Sequence, residues 1–401
     1  MKRVARALPE ALARLDAAQL RRRRTTVEGF AEADSRARLT IGGRTLVDFS
    51  SNDYLGLARH PELAAAMGAS ARTAGAGSAA SHLVSGHGRE HERLEEELAA
   101  FTRRERALLF STGYMANLAV ISALAGRGER ILLDRLSHAS LIDGARLAGA
   151  QLERYAHADA AAAAAALEKD PARTAVIGTD GLFSMDGDLA PLAALARLAR
   201  RADAWLVVDD AHGLGVLGAS GRGSLEECGV SGADVPVLMG TLGKAFGSFG
   251  AFVAGEADLI DYLVQKARSY IYTTALPQPV AAASRRALAL AQAEDWRRAR
   301  LVALIERFRR RAAQAGVPLG RGPERTPIQP VVLGSEAAVL AAQRALEAEG
   351  LLVVAIRPPT VPKGAARLRV TLTAVHTEAQ IDQLAEALGR CCERLHATGT
   401  A

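Results

Sequence analysis

Apolar residues recur at helical spacing near the start of the chain, at Val4, Leu8, Leu12, Leu15 and Leu20, which predicts an amphipathic helix reaching about Arg24. From Arg38 to Ser50 apolar positions alternate around Gly42-Gly43, a hairpin signal. Between about residues 105 and 255 short apolar runs alternate with helical segments: Ala107–Phe110, Arg130–Asp134, Thr174–Thr179, Trp205–Asp209, Val235–Met239 and Ala251–Ala254. Such alternation predicts an α/β fold with a mainly parallel sheet covered by helices on both faces. The alanine run Ala160–Ala166 continues into Leu167-Glu168-Lys169 ahead of Pro171 and reads as helix. Beyond Pro277 come helical patterns to about Ala315, then Ile328–Leu333, a helix over Ser335–Glu349, Leu351–Ile356, Leu368–Leu372 and a last helix. The expected organisation is an N-terminal helix and hairpin arm over 1–50, a large domain over 51–285 and a smaller C-terminal α/β domain over 286–401.

Composition narrows the function classes. With 49% hydrophobic and 23% charged residues in 401, the chain matches an ordinary globular protein. No run of about 18 apolar residues occurs and the charged start lacks an apolar stretch behind it, so neither a membrane span nor a signal peptide is expected. Three cysteines, Cys228, Cys391 and Cys392, with the last two adjacent, fit a reducing cytoplasm. The net charge of +6 is modest and interleaved with acids, which gives no support to nucleic-acid binding. The one concentrated basic run, Arg21 to Arg24, fits either a solvated helix end or an anionic substrate. Lysine is scarce, at positions 2, 169, 244, 266 and 363 only; where arginine supplies nearly all positive charge, a lysine among glycines invites a chemical explanation, because lysine can deprotonate.

Three segments carry the candidate chemistry. Thr241-Leu242-Gly243-Lys244-Ala245-Phe246-Gly247 follows a predicted strand and projects an amine from an uncharged loop, where desolvation would free it as a nucleophile. By itself the loop equally fits a structural lysine or one gripping phosphate. Trp205–Val208 runs into Asp209-Asp210-Ala211-His212-Gly213, and ligands of open α/β sheets bind at the carboxyl ends of strands; a capped turn is the plainer explanation. Asp209 and Lys244 end neighbouring strand candidates and so are placed to face one ligand. Phe110-Ser111-Thr112-Gly113-Tyr114 is a strand end leading into a helix over Met115–Leu124, whose unpaired amides attract phosphate.

Together these segments resemble the α-oxoamine synthases among the fold type I pyridoxal-phosphate enzymes. The resemblance covers nearly the whole chain, through Ser50-Ser51-Asn52-Asp53-Tyr54-Leu55-Gly56, Asp134-Arg135-Leu136-Ser137-His138-Ala139-Ser140, Phe183-Ser184-Met185-Asp186-Gly187-Asp188 and Ile356-Arg357-Pro358-Pro359-Thr360-Val361-Pro362. It implies that Lys244 holds pyridoxal 5'-phosphate covalently, Asp209 keeps the pyridine nitrogen protonated and His138 stacks on the ring. It also implies that Ser184 and His212 hold the phenolic oxygen, while Thr241 and the amides of Gly113 and Tyr114 hold the phosphate. Asn52 and Arg369, with Arg357, would take the amino-acid carboxylate; Arg21 and Thr360 would meet the acyl substrate, with Arg22, Arg23 and Arg24 able to stand in for Arg21. Two positions depart from the pattern: Asp180 stands where relatives often have glutamate, and Ala79-Ala80 where they often have glycine.

The Ile356 to Pro362 segment favours the branch that condenses L-alanine with a pimeloyl thioester, on coenzyme A or acyl carrier protein, for biotin synthesis. A sibling using glycine or serine with another acyl group shares every cofactor residue. A nicotinamide dehydrogenase is disfavoured, because the loosely dinucleotide-like Gly75-Ala76-Gly77-Ser78-Ala79-Ala80 has no strand before it. A catalytically lapsed binding protein sits poorly with an intact Lys244, Asp209 and Arg369. The resemblance further implies a homodimer in which Tyr272-Thr273-Thr274 reaches the neighbour's phosphate; no metal is expected.

Overall fold

The computed structural model describes residues 2–30, 37–320 and 325–397. The chain divides into two compact units, Asn52–Arg300 and a second formed by Met1–Ser51 together with Leu301–Ala401.

Among the described residues of Asn52–Arg300 the strands form one sheet: β1 (Arg106–Phe110), β2 (Arg130–Asp134), β3 (Gln151–Tyr155), β4 (Thr174–Asp180), β5 (Trp205–Asp209), β6 (Val237–Thr241) and β7 (Ala251–Gly255). Their order is β1-β7-β6-β5-β4-β2-β3. Only β7 runs antiparallel to its neighbours, so the sheet is the mainly parallel one that the sequence predicts. Successive side chains take opposite faces. Ile131, Leu133 and Val207 join a core with the helices Gly113–Leu124, Ala139–Ala148 and Ala257–Lys266. Leu132, Leu206 and Val208 join a second core with Ala160–Glu168 and Leu192–Arg201.

The differences from the predicted elements have simple causes. Strand β3 escapes the hydrophobic pattern because it is an edge strand reading Gln-Leu-Glu-Arg-Tyr, with charged residues where an interior strand is apolar. Strand β6 begins and ends two residues later than expected, which carries Thr241 onto its last position. The helix expected from Met115 starts at Gly113, because the Thr112 hydroxyl caps it by accepting from the Met115 N–H at 3.2 Å.

In the other unit, Arg38–Ile41 and Arg44–Asp48 pair antiparallel around Gly42 and Gly43, whose φ values of 55° and 70° make the predicted turn. The expected strand Leu351–Ile356 is split: Leu351–Leu352 pairs parallel with Arg44–Asp48, while Val354–Ile356 joins an antiparallel sheet with Ala366–Thr371 and Ile328–Gly334. The first helix, Lys2–Ala17, stops before the arginine run, so Leu20 lies beyond it. No described helix is long and apolar enough to cross a membrane.

Two buried ionisable side chains, Arg130 and Asp210, shape stability. Arg130, 2% exposed, donates to Glu153 at 3.0 Å, to Thr174 at 2.8 and 3.0 Å, and to the carbonyls of Ala166, Leu167 and Asp170 at 2.9, 3.0 and 2.7 Å. It thereby satisfies carbonyls at the end of helix Ala160–Glu168 that the helix leaves orphaned. Asp210 is fully buried, and burial, reinforced by the charge of Asp209 and opposed by the Ser224 N–H, pushes its pKa from 3.8 up to about 7.

Arg130→Ala is expected to cost about 3–5 kcal/mol by stranding these acceptors, read as a lower urea midpoint at unchanged slope. Between pH 3.8 and about 7 folded Asp210 keeps a proton that the unfolded chain releases, so its contribution to stability falls as pH rises through that window. Asp210→Asn should therefore gain stability relative to wild type between pH 5 and 8; parallel pH profiles in denaturant titrations would contradict this.

Candidate active site

Strands β5 and β6 are parallel neighbours with Asp209 opposite Met239, so Asp209 and Thr241 finish side by side at the carboxyl edge of the sheet. From Thr241 the chain loops back into β7, and the loop is held at both ends: Leu242 N–H donates to Gly250 O at 2.9 Å, and Ser248 N–H to Leu242 O at 2.9 Å. Gly247, at φ 62°, lies so close to the backbone of Leu57-Ala58 that a Cβ would come within 2.2 Å of the Ala58 nitrogen. Leu242, Ala245 and Phe246 are buried on either side of Lys244. The fixed loop brings Lys244 Nζ within 2.7 Å of His212 Nε2, and His212 Nδ1 lies 2.7 Å from Tyr54 Oη.

Asp209 is buried, and its carboxylate is oriented by two donors, Asn117 Nδ2 at 2.7 Å and the Ala211 N–H at 3.0 Å. Asn117 Nδ2 also donates to Ser140 Oγ at 2.8 Å, and Ser140 Oγ lies 2.7 Å from His138 Nδ1. A continuous chain of side chains thus links Asp209 to His138. Burial lowers the His138 pKa, the Asp209 charge opposes this and the Lys244 charge adds to it, so all three residues act on one another. Asp180 lies beside Asp209 in the sheet register and accepts the His138 backbone N–H at 3.0 Å. Burial first, and then Asp209, hold its carboxyl protonated well above the usual range. The departure at Asp180 is therefore tied to the backbone of His138.

The other sequence-predicted residues fall in three places. Gly113 and Tyr114 open the helix Gly113–Leu124; the Tyr114 ring meets His138 edge-on at 6.5 Å and its hydroxyl donates to Asp143. Thr241 Oγ1 donates to Gly250 O at 3.0 Å and accepts from Gly243 N–H at 3.3 Å, bracing the lysine loop. Ser184 occupies the turn closed by the Leu182–Leu189 bridge beyond β4, and Asn52 Oδ1 accepts from Tyr54 Oη at 3.1 Å. Arg369, Arg357, Thr360 and Arg21 belong to the unit containing the two ends of the chain. There Arg369, 7% exposed, lies on the middle strand of the three-stranded sheet, between Pro330 and Val354.

In that same unit a cavity of about 540 Å³ is lined by apolar Leu20, Val27, Ile41, Leu46, Leu352 and Ile356 and by Arg22, Arg23, Arg357 and Thr360. Of the arginine run, Arg22 donates to Thr360 Oγ1 at 3.1 Å, whereas Arg21 pairs with Asp16 at 2.5 Å. Spacing alone left these neighbours interchangeable; the fold separates them. Sequence reasoning assigned no part to Asn117, Ser140 or Tyr54. Tyr54 and Ser140 sit inside the quoted motifs, and Asn117 lies one helical turn beyond Gly113, facing the strand ends.

A separate group of imidazoles, His82, His87 and His91, is drawn together in the Asn52–Arg300 unit. His82 and His87 share a contact of 2.9 Å between their Nδ1 atoms; His91 accepts Gly88 N–H at 2.9 Å and donates to the Leu276 carbonyl. Burial keeps all three below the usual histidine range, His82 at about 3. His91 thereby fastens the start of helix Arg89–Thr102 to Leu276.

Comparison with known proteins agrees with this geometry. The family described as aminotransferase class I and II matches residues 44–388. The chain is 59% identical over 357 residues to an 8-amino-7-oxononanoate synthase of Methylococcus capsulatus, covering 89% of this chain and 92% of the relative. It is 55% identical over 384 residues to one of Pseudomonas putida, covering 96% and 97%. A lysine-to-alanine variant of a serine palmitoyltransferase from S. paucimobilis, solved with a bound PLP–myriocin aldimine, superposes with a TM-score of 0.91 at 29% identity over 98% of each chain. The chain belongs to the class I and II aminotransferase family and, within it, to the 8-amino-7-oxononanoate synthases.

Proposed function

We propose that this chain condenses L-alanine with a pimeloyl thioester, carried on coenzyme A or acyl carrier protein, giving 8-amino-7-oxononanoate, carbon dioxide and the free thiol for biotin synthesis, with pyridoxal 5'-phosphate as its cofactor. The observation that carries the reading is the Lys244 amine held 2.7 Å from His212 in the same electrostatic neighbourhood as the buried, doubly hydrogen-bonded Asp209.

The residues fit that cofactor by their chemistry. Lys244 offers an amine for an aldehyde, and Asp209 a fixed carboxylate for a pyridinium N–H. His138 offers an imidazole face, His212 and Ser184 partners for a phenolic oxygen. The amides opening helix Gly113–Leu124, with Thr241, offer donors for a phosphate. Bound there, pyridoxal phosphate supplies an electron sink for a carbanion. Everything else falls to the chain. Lys244 would take the proton from the substrate α-carbon and later return one, which requires an amine that gains and loses a proton readily. Asn117 and the Ala211 N–H hold the Asp209 carboxylate in place by donating to its two oxygens. Asn52, Arg369 and Arg357 take the α-carboxylate, guanidinium forks matching its two oxygens.

For the acyl substrate we assign Arg22 with Thr360, in place of Arg21, whose guanidinium is engaged by Asp16. The apolar cavity beside them suits a methylene chain with a polar end. A sibling reaction with glycine or serine is the second reading, favoured by the likeness to serine palmitoyltransferase; 29% identity there against 59% to the oxononanoate synthase decides for alanine and pimeloyl thioester.

A homodimer in the cytoplasm completes the proposal. Val84 and Tyr272 are 79% and 71% exposed, apolar surface that a second copy would cover, and a chain with only three cysteines in 401 residues suits a reducing compartment.

Purified chain supplied with L-alanine, pimeloyl thioester and pyridoxal phosphate should yield a product with the mass of 8-amino-7-oxononanoate and one thiol per turnover. A preference for glycine with a short acyl group would transfer the assignment to the sibling reaction. Lys244→Ala should abolish both turnover and the visible coenzyme band. Arg22→Ala should raise KM for the thioester about tenfold or more, as expected for one lost charge-assisted contact, with kcat nearly unchanged; Arg21→Ala should do much less.

A further inference from the structure

We propose that His157 is a positioning residue: held between the side chains of Asp134 and Asp188, it pins the turn that carries Ser184 to the loop that carries His138. The three groups come from neighbouring strands. Strands β3 and β4 flank β2 and run parallel to it, so their carboxyl ends share one edge of the sheet. Asp134 is the last residue of β2, His157 follows closely on β3, and Asp188 lies in the turn beyond β4 that the Leu182–Leu189 bridge closes. The imidazole spans them with both nitrogens, Nδ1 at 3.0 Å from Asp134 Oδ1 and Nε2 at 2.8 Å from Asp188 Oδ2. An acid at each end of one ring suits an imidazolium, which has an N–H for each. Asp134 already accepts two amides, Leu136 N–H at Oδ1 and Ala158 N–H at Oδ2, both at 2.7 Å, as a carboxylate does. Burial works against the cation, but hydrogen bonds to Asp134 and Asp188 and then their charges outweigh it and raise the His157 pKa to about 10.

Each end of this clamp belongs to a segment of the candidate site. Asp134 shapes the run to His138, its carboxylate accepting Leu136 N–H and its carbonyl accepting Ser137 N–H at 3.1 Å. Asp188 shapes the turn of Ser184: its carbonyl accepts Phe183 N–H at 2.9 Å, and Gly187 N–H donates to Phe183 O at 3.0 Å. The turn is thus a closed piece, and His157 grips it twice, by the Asp188 carboxylate and by meeting the Phe183 ring edge-on with centroids 4.4 Å apart. Asp188 Oδ1 is buried and meets no donor among the described residues, so the charge of that carboxylate leans on His157. The clamp stands on these contacts alone, while its use rests on the reading that Ser184 and His138 meet the coenzyme: a donor to a phenolic oxygen is effective only if its turn is held at a fixed distance from the ring.

The first test is nitrogen-15 NMR of the full chain with labelled histidine at pH 8, before any coenzyme is added, the His157 signals being assigned by their absence in His157→Gln. Both ring nitrogens of His157 are expected to carry protons; a neutral ring overturns the clamp. The second is read on the visible coenzyme band after pyridoxal phosphate is bound. His157→Gln and Asp188→Asn should each raise the pH midpoint of that band by about one unit, the effect of weakening one hydrogen bond to a charged oxygen, and the double variant should match the single ones because His157 acts through Asp188. Unmoved midpoints, or shifts that add, overturn the positioning role even where urea midpoints fall, since a purely structural loss lowers stability and leaves the band in place. Should His157→Gln not fold, Asp188→Asn, which keeps the side-chain shape and removes the charge, decides by the same shift. Failure of the functional reading appears separately, as a wild-type Lys244 that takes up no pyridoxal phosphate while His157 still shows two N–H signals; the positioning role then falls with it and the clamp does not.

Discussion

A carboxylate buried at the end of a parallel strand persists as a charge only if the surrounding chain supplies donors for it, and the arrangement around Asp209 follows from that requirement. The Asn117 amide and the Ala211 N–H fill the role, and Asn117 reaches Asp209 only because helix Gly113–Leu124 packs across the strand ends. Having two hydrogens to give, the same amide fixes Ser140, which in turn fixes His138. One charge therefore sets the positions of three further side chains on two helices. Lys244 acts on the same group through its own charge, its loop being locked by buried Leu242, Ala245 and Phe246.

The edge of the sheet that concentrates this chemistry also concentrates electrostatic cost. Asp180 and Asp210 stand with Asp209 near the same strand ends, and burial, with the Asp209 charge, raises both carboxyls above their ordinary range, Asp210 to about 7. These two carboxyls accept from the backbone N–H groups of His138 and Ser224. Such a cluster weakens folding as pH rises, a trade of stability for a single well-placed anion. Arg130 and the Ala160–Glu168 helix end show the opposite policy away from the site, where a buried charge is saturated with acceptors.

Much of this was legible in the chain. The interior strands betray themselves because residues buried on both faces must be apolar, and the acids and glycines that interrupt them mark the edge where ligands bind. The β3 edge strand was not legible, since Gln151, Glu153 and Arg154 face solvent enough to hide its period. Lys244 and Asp209 stood out by type and by their place after strands, whereas His138 and His212 took their roles from the resemblance. Asn117 did not, because a polar residue on a helix gains meaning only when packing shows what it faces. Tyr54 is the same case, an aromatic that reads as core until its hydroxyl is found between Asn52 and His212. The sequence left Arg21 and Arg22 interchangeable, and the fold separates them: the former pairs with Asp16 and the latter donates to Thr360.

The central claim, that one lysine amine among five is the anchor for the coenzyme, is tested most directly by hydride trapping. The chain is mixed with excess pyridoxal phosphate, reduced with borohydride, digested and mapped by mass spectrometry. The account predicts a stoichiometric phosphopyridoxyl adduct on the peptide containing Lys244, with Lys169 and Lys266 unmodified. An unmodified Lys244, or label spread evenly over the other lysines, would contradict it.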